Sequence, residues 1–165
     1  MTSSILPLTT TSRDAMPAGA AAPFRVFSRR VECATIKRFE IIDLTGRVAE
    51  TIAESGIDNG VVHVQTLHTT TALFLNERQA ALLDDVEALV RLLVDDGRDW
   101  RHNDRRYSDC DRGNAAAHLR SLLVGHSLSI QVQDGQPVLG KWQAVQFLEM
   151  DGPQARKLSV QVMGV

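Results

Sequence analysis

Apolar positions along the chain change period several times, and each change predicts an element. Leu82, Leu83, Val86, Leu89, Val90 and Leu93 recur at helical spacing, with acids and Arg91 opposite, so this stretch predicts an amphipathic helix ended by Gly97. Val48, Ala49, Ile52 and Ala53 mark a second helix, with Thr45 as its cap and Gly56 as its stop. A third helix is expected from Ala115 to about Val124, opened by Asn114 and closed by Gly125. Val61–Leu67 and Thr71–Leu75 read as extended segments, and so does Phe39–Leu44 within the β-favouring region Phe24–Thr45. Leu128, Ile130 and Val132 alternate with polar residues, the mark of a half-buried strand, and Asp134-Gly135 reads as a hairpin turn. Two more strands are expected at Trp142–Met150 and Leu158–Met163, separated by Asp151-Gly152-Pro153.

The resulting order is β-α-β-β-α-loop-α-β-β-β. Strands dominate the C-terminal third, which favours an α+β arrangement of mostly antiparallel sheet layers with about three helices over a doubly wound parallel sheet. A single domain from residue 24 to 165 is expected. Residues 1–23 are rich in Ser, Thr, Ala and Pro and carry only Arg13 and Asp14 as charges. That composition predicts a disordered tail. A transit peptide is the competing reading, because such segments are Ser-rich and acid-poor.

Composition narrows the partners. Eighteen basic and twenty acidic residues give a formal net charge of -2, which disfavours a nucleic-acid binder working by phosphate neutralisation. No apolar run is long enough to span a bilayer, so no membrane partner is expected. The two cysteines, Cys33 and Cys110, lack a Cys-x-x-Cys partner and read as free thiols of a cytoplasmic protein.

Five histidines are the main candidates for chemistry near neutral pH. His63 lies inside an apolar strand and reads as a core or interface residue, and His126 follows Gly125 as a turn residue. His68 stands where a strand ends, before Thr69 and Thr70. His102 lies beside Asn103 and Asp104 in a polar stretch, Arg98–Gly113, whose length suits a functional loop. His118 stands one turn after Asn114, near a helix start suited to phosphate or carboxylate. Each is alone more often structural than catalytic, and no His-x-x-x-His pair exists. Glu77 suits a helix-terminal charge, a general base or a magnesium ligand. Trp142-Gln143 could pack on a flat ring or simply start a strand. Arg101, Arg105, Arg106 and Arg120 are candidates for holding phosphate, against the reading that they are solvated charges.

Together these segments resemble the YjbQ-like family of secondary thiamine-phosphate synthases. Leu67–Glu77 is similar to its His-Thr-Thr/Ser-Ala-Ser-Leu-x-x-Asn-Glu signature. Trp100–Asp104 resembles its aromatic-x-His-Asn/Asp-Asp segment. Asn114–Gly125 resembles its Asn-x-x-x-His-Leu-Lys helix, Gly140–Gln143 its Gly-Thr-Trp-Gln with Lys141 for threonine, and Glu149–Pro153 with Arg156 its Glu-Phe-Asp-Gly-Pro-Arg turn. The chain departs from the pattern at Lys37-Arg38-Phe39, where the family often has a glycine-rich turn. Gln154-Ala155 shifts the arginine after Gly-Pro, and the loop from Asp104 to Asn114 is somewhat long.

The resemblance implies a compact α/β fold, a homotrimer, and an activity joining a pyrimidine pyrophosphate to a thiazole phosphate, with the native substrate open. It moves His68, His102 and His118 into one expected site, able to hold a divalent metal (zinc or magnesium) or a phosphate. His68, Glu77 and His118 are the expected catalytic residues. Thr69, Thr70, Asn76 and Arg101 are expected to bind a small phosphorylated metabolite, together with Asp104, Asn114, Trp142 and Gln143. Thr69, Asp104 and Asn114 are the expected orienting partners of His68, His102 and His118. The competing function is a non-enzymatic metal- or metabolite-binding trimer. A structural scaffold is a third reading, and it leaves the clustered polar motifs unexplained.

Overall fold

The computed structural model describes residues 22–165, so the expected tail lies almost wholly outside the described residues. Two antiparallel sheets form the body. The larger contains β1 (Arg25–Ala34), β8 (Ala155–Gly164), β3 (Gly60–Thr66), β5 (Ser127–Gln133) and β6 (Gln136–Pro137), in that order. The smaller contains β2 (Glu40–Asp43), β7 (Gln143–Glu149) and β4 (Thr71–Glu77), with β7 central. Helices α1 (Thr45–Ser55), α2 (Ala80–Leu93) and α3 (Ala115–Val124) complete the fold. This is the mixed, antiparallel architecture expected from the sequence. Three small elements were not anticipated as separate units: the split of the first β region into β1 and β2, the two-residue β6, and a 3₁₀ turn at Arg101–Asn103.

Burial explains the hydrophobic pattern. In β8 the buried residues alternate, because only one face of its sheet meets the core. In β7 every residue from Ala144 to Glu149 is buried, because its sheet is covered on both sides. One core cluster joins Val62, Val64, Leu158 and Val160 of the large sheet to Leu73, Val145 and Phe147 of the small one, with Val48 and Ile52 from α1. A second joins Ala72, Leu148 and Met150 to Ala117 of α3. Fully burying a residue such as Phe147 contributes about 1.5–3 kcal/mol.

Asp134 and Gly135 adopt φ of 51° and 70°, the left-handed pair that a two-residue hairpin requires.

Three helix ends differ from expectation. Leu44, not Thr45, is the N-cap of α1; the Thr45 hydroxyl instead accepts the Val145 N–H at 2.9 Å. Helix α2 ends at Leu93, short of Gly97, where Val94 turns extended at φ -133° and ψ 101° and donates its N–H to Val90 O. Arg120 is 2% exposed and donates to Val90 O and Val94 O, and it pairs with Asp96 at 2.9 Å. It is a structural cap for α2, not a free phosphate ligand. At α3 the N-cap residue is Asn114 as expected, but its side chain makes no cap bond. Asn103 Oδ1 accepts the Ala115 N–H from across the loop at 2.9 Å.

Candidate functional site

The β3–β4 connection carries His68, Thr69 and Thr70, and β8 clamps it. Leu67 donates its N–H to Lys157 O at 3.1 Å, and Lys157 donates its own N–H to His68 Nε2 at 2.8 Å. Thr70 Oγ1 accepts from Arg156 Nη2 at 3.1 Å. Arg156 is 7% exposed and Glu149 is fully buried. The two form a bidentate pair, with one contact of 2.6 Å, directly behind the loop. Glu149 also accepts from the N–H groups of Met150 and Asp151 and from the Thr35 hydroxyl.

Helix α3 is registered against the same loop. Ser121 Oγ donates to Thr71 O at 2.6 Å and contacts His126 Nε2 at 2.8 Å, and Leu73 donates its N–H to Gly125 O. One turn earlier, His118 faces the Thr69 carbonyl. The His102 ring stands perpendicular to the His118 ring, at 89°, with centroids 5.0 Å apart. The helix start is fixed by Asn114, whose Nδ2 donates to Asp151 Oδ2 at 2.8 Å. Arg112 donates to the same Asp151 oxygen and to Asp151 O. Gly152 follows; a Cβ there would lie 2.1 Å from Lys37 O, so only glycine lets the 149–156 turn pass this close to the 35–38 segment.

These surroundings set the charges. Burial, then the charge of His102, pushes the His118 imidazole below its ordinary pKa, partly offset by Asp151 and the Thr69 carbonyl. Burial, then Arg156, does the same to His68. Both rings are held towards the neutral form near pH 7. Burial pushes Asp151 up, but its bonds to Arg112 and Asn114 outweigh that and hold its carboxyl below the usual range.

A backbone N–H can only donate, so His68 Nε2 must accept, and a neutral His68 carries its proton on Nδ1. Neither nitrogen then offers a lone pair to a metal. In this arrangement His68 does not fit as a third metal ligand beside His102 and His118, because β8 has already taken its acceptor nitrogen. His118 and His102 do fit: each retains a ring nitrogen beyond its contact to Thr69 or Ser108.

A cleft of about 360 Å³ opens on the pair, lined by Trp100, Arg101, His102, Ala115, His118 and Leu119. Of the expected site residues, the fold brings together His68, Thr69, Thr70, Arg101, His102, Asn114 and His118. The orienting partners are reassigned. Asp104 is held by Arg106 at 2.6 Å, and Ser108 Oγ lies 3.4 Å from His102 Nδ1. Asn114 serves Asp151 and accepts from Cys110 Sγ.

Asn76, Glu77, Trp142 and Gln143 are elsewhere in the chain. Thr71 pairs with Glu149 at one end of the β4–β7 ladder and Glu77 with Gln143 at the other. Six strand steps of about 3.3 Å separate the two groups by about 20 Å. Sequence reasoning missed Glu149, Arg156, Asp151, Arg112 and Asn103 as individual contributors. Arg156 had a signal: it falls on the inward phase of β8 with Leu158, Val160 and Val162. His63 contacts Ser129 Oγ on the half-exposed face of the large sheet and takes no part.

A family model described as UPF0047 protein YjbQ-like matches residues 29–165. A UPF0047 protein of Methanothermobacter thermautotrophicus is 36% identical over 84% of this chain and 93% of its own. One from Archaeoglobus fulgidus is 43% identical over 78% and 95%. Among solved structures, a YbjQ-like protein of unknown function from Sulfolobus solfataricus superposes with a TM-score of 0.81 at 29% identity, covering 87% of this chain and all of that one. A hypothetical protein from Aeropyrum pernix gives 0.77 at 34% identity, covering 84% and 99%. The chain belongs to the UPF0047 YjbQ-like family.

Proposed function

We propose that the protein is an enzyme acting on a small phosphorylated metabolite at the His102–His118 cleft. The reaction we assign is the joining of a pyrimidine pyrophosphate to a thiazole phosphate. The observation that carries this reading is the perpendicular imidazole pair, 5.0 Å apart, on a cleft wall shared with Arg101. In that reaction the C–O bond to pyrophosphate breaks, the oxygen keeps the electron pair, and the thiazole nitrogen supplies the pair for the new C–N bond. The demand on the protein is therefore to stabilise a departing anion and exclude water. The role given to Arg101 is positive charge on the leaving group, and the role given to His118, whose N–H is turned to the Thr69 carbonyl, is to accept a proton at its free ring nitrogen. His68 and Arg156 shape the loop that aims His118.

A divalent ion belongs to the same proposal, with His102 and His118 as the residues to hold it; their imidazole nitrogens suit zinc, whereas magnesium takes oxygen ligands. Such an ion would supply further charge for the leaving pyrophosphate. A cytoplasmic homotrimer also belongs to it. Leu89, Leu92, Leu93, Leu122 and Leu123 of α2 and α3 are all more than half exposed in the single chain, and Trp142 is 64% exposed. Covering them in an assembly removes apolar surface from water. Glu77, Asn76, Trp142 and Gln143 then join the site only through a neighbouring copy. Among the described residues no helix is long and apolar enough to cross a membrane.

One feature favours the non-enzymatic alternative: Glu77, the expected base, lies at the far end of β4, about 20 Å along the strand from Thr71 and the His68 loop. The deciding experiment is turnover. Purified protein given both substrates should release pyrophosphate, and His118→Ala should not. Tight retention of a ligand without turnover would favour the binding protein.

A further inference from the structure

Beyond the Trp100–Arg101 wall of the imidazole cleft lies a second, larger cavity of about 670 Å³, built from the loop between α2 and α3. Its lining includes four arginines, Arg98, Arg101, Arg105 and Arg106, and two aromatic rings, Trp100 and Tyr107. Three aspartates also line it, but two are already engaged. Asp96 is held by Arg91 and Arg120, and Asp104 by Arg106. That leaves Asp99 against Arg98, Arg101 and Arg105, none of which makes an ion pair within 4.0 Å among the described residues. A cavity with unmatched guanidinium groups is an anion site by charge alone.

The rings are held as well as present. Trp100 Nε1 donates to Asp95 O at 2.9 Å, which fixes the indole, and Arg98 lies 5.0 Å from its centre. Arg101 lies 5.2 Å from the centre of Tyr107. Stacking on an aromatic face spreads each guanidinium without consuming its N–H donors, which stay available for planar, bidentate contact with phosphoryl oxygens. Trp100 and Arg101 line both cavities, so one ligand can cross from one to the other. The small cleft, with Ala115, Leu119 and two neutral imidazoles, suits an uncharged flat ring.

We infer that the arginine cavity binds the phosphate or pyrophosphate group of a ring-bearing metabolite whose ring sits against Trp100 and the His102–His118 pair. This rests on the proposed reading of the imidazole cleft as the substrate site, and it adds the place and the chemistry of the anionic end. It also assigns Arg98 and Arg105 roles that the motif resemblance does not give them.

The test is binding, read apart from turnover. Calorimetric titration of the full chain uses three probes: inorganic pyrophosphate, 4-nitrophenyl phosphate and 4-nitrophenol. The expected result is that 4-nitrophenyl phosphate binds at least tenfold more tightly than 4-nitrophenol. Combined Arg98→Ala and Arg105→Ala should weaken both anions at least tenfold, while His118→Ala weakens 4-nitrophenyl phosphate by a larger factor than it weakens pyrophosphate. Both arginines are exposed, and circular dichroism verifies that the variant is folded. Unchanged anion affinity in the arginine variant overturns the assignment, as does equal binding of phosphorylated and unphosphorylated rings. If anion binding behaves as expected but no substrate pair is turned over, the synthase reading fails and the anion site stands.

Discussion

Glu149→Gln is the substitution whose consequence follows most directly from the geometry. The two Glu149 oxygens accept five donors: the N–H groups of Met150 (3.0 Å) and Asp151 (2.8 Å), the Thr35 hydroxyl (3.2 Å), and Nε and Nη2 of Arg156. An amide supplies only one acceptor oxygen. Placed best, that oxygen keeps the two backbone donors and Nη2, while the new NH₂ group points at Arg156 Nε, donor against donor. The guanidinium, 7% exposed, is then left without a countercharge. Breaking a buried pair in this way costs about 3–5 kcal/mol. At about 2–4 °C per kcal/mol for a chain of this size, the melting temperature should fall by about 6–20 °C. Urea unfolding at fixed protein concentration gives the same quantity and holds any assembly constant. Adding Arg156→Met to Glu149→Gln should recover part of the loss, because the stranded charge is gone. A single variant within about 1 kcal/mol of wild type, the range of an exposed pair, would refute the reasoning. So would a double variant less stable than the single.

Further outcomes are expected. Arg120→Met should destabilise by about 1–3 kcal/mol, because it strands the buried Val94 carbonyl. Hydrogen exchange should then locate the loosening in the last turn of α2. Stability should depend on pH through His118 and His68, whose folded pKa values lie below the ordinary one. As pH falls through about 6.5 the unfolded chain takes up protons first, so stability is full above that pH and declines below it. His118→Gln should flatten the decline, measured as the difference in unfolding free energy between pH 7.5 and 5.5. Sedimentation should give three times the 18.2 kDa chain mass, and a stable monomer at micromolar concentration would remove the trimer.

The elements were legible wherever the signal was local. Asn114 and Gly125 bracket α3 in the sequence as they do in the fold, and the alternation at Leu128, Ile130 and Val132 marks the inward face of β5. Partners across long separations were not legible. Asn114 is the residue type that caps helices, yet Asn103 makes the cap bond, because the Asn114 amide is turned to donate to Asp151 and its oxygen accepts from Cys110 Sγ. His68 and Glu77 share one motif, but the strand between them carries Glu77 away from the loop that positions His68. Nearness in sequence along an extended strand is distance in space. Glu149 lay in a run of buried strand residues, where an acid has meaning only once Arg156 is seen behind it.

The central claim is that the His102–His118 cleft is catalytic, and the most direct measurement is coupled release of pyrophosphate and formation of thiamine phosphate from the pyrimidine pyrophosphate and the thiazole phosphate. Wild-type protein should form the two products in equal amounts. His118→Ala, with its circular dichroism unchanged, should be slower by about 100-fold or more, the scale of a lost acid–base group. No product from the wild type, or full activity in folded His118→Ala, would contradict the claim.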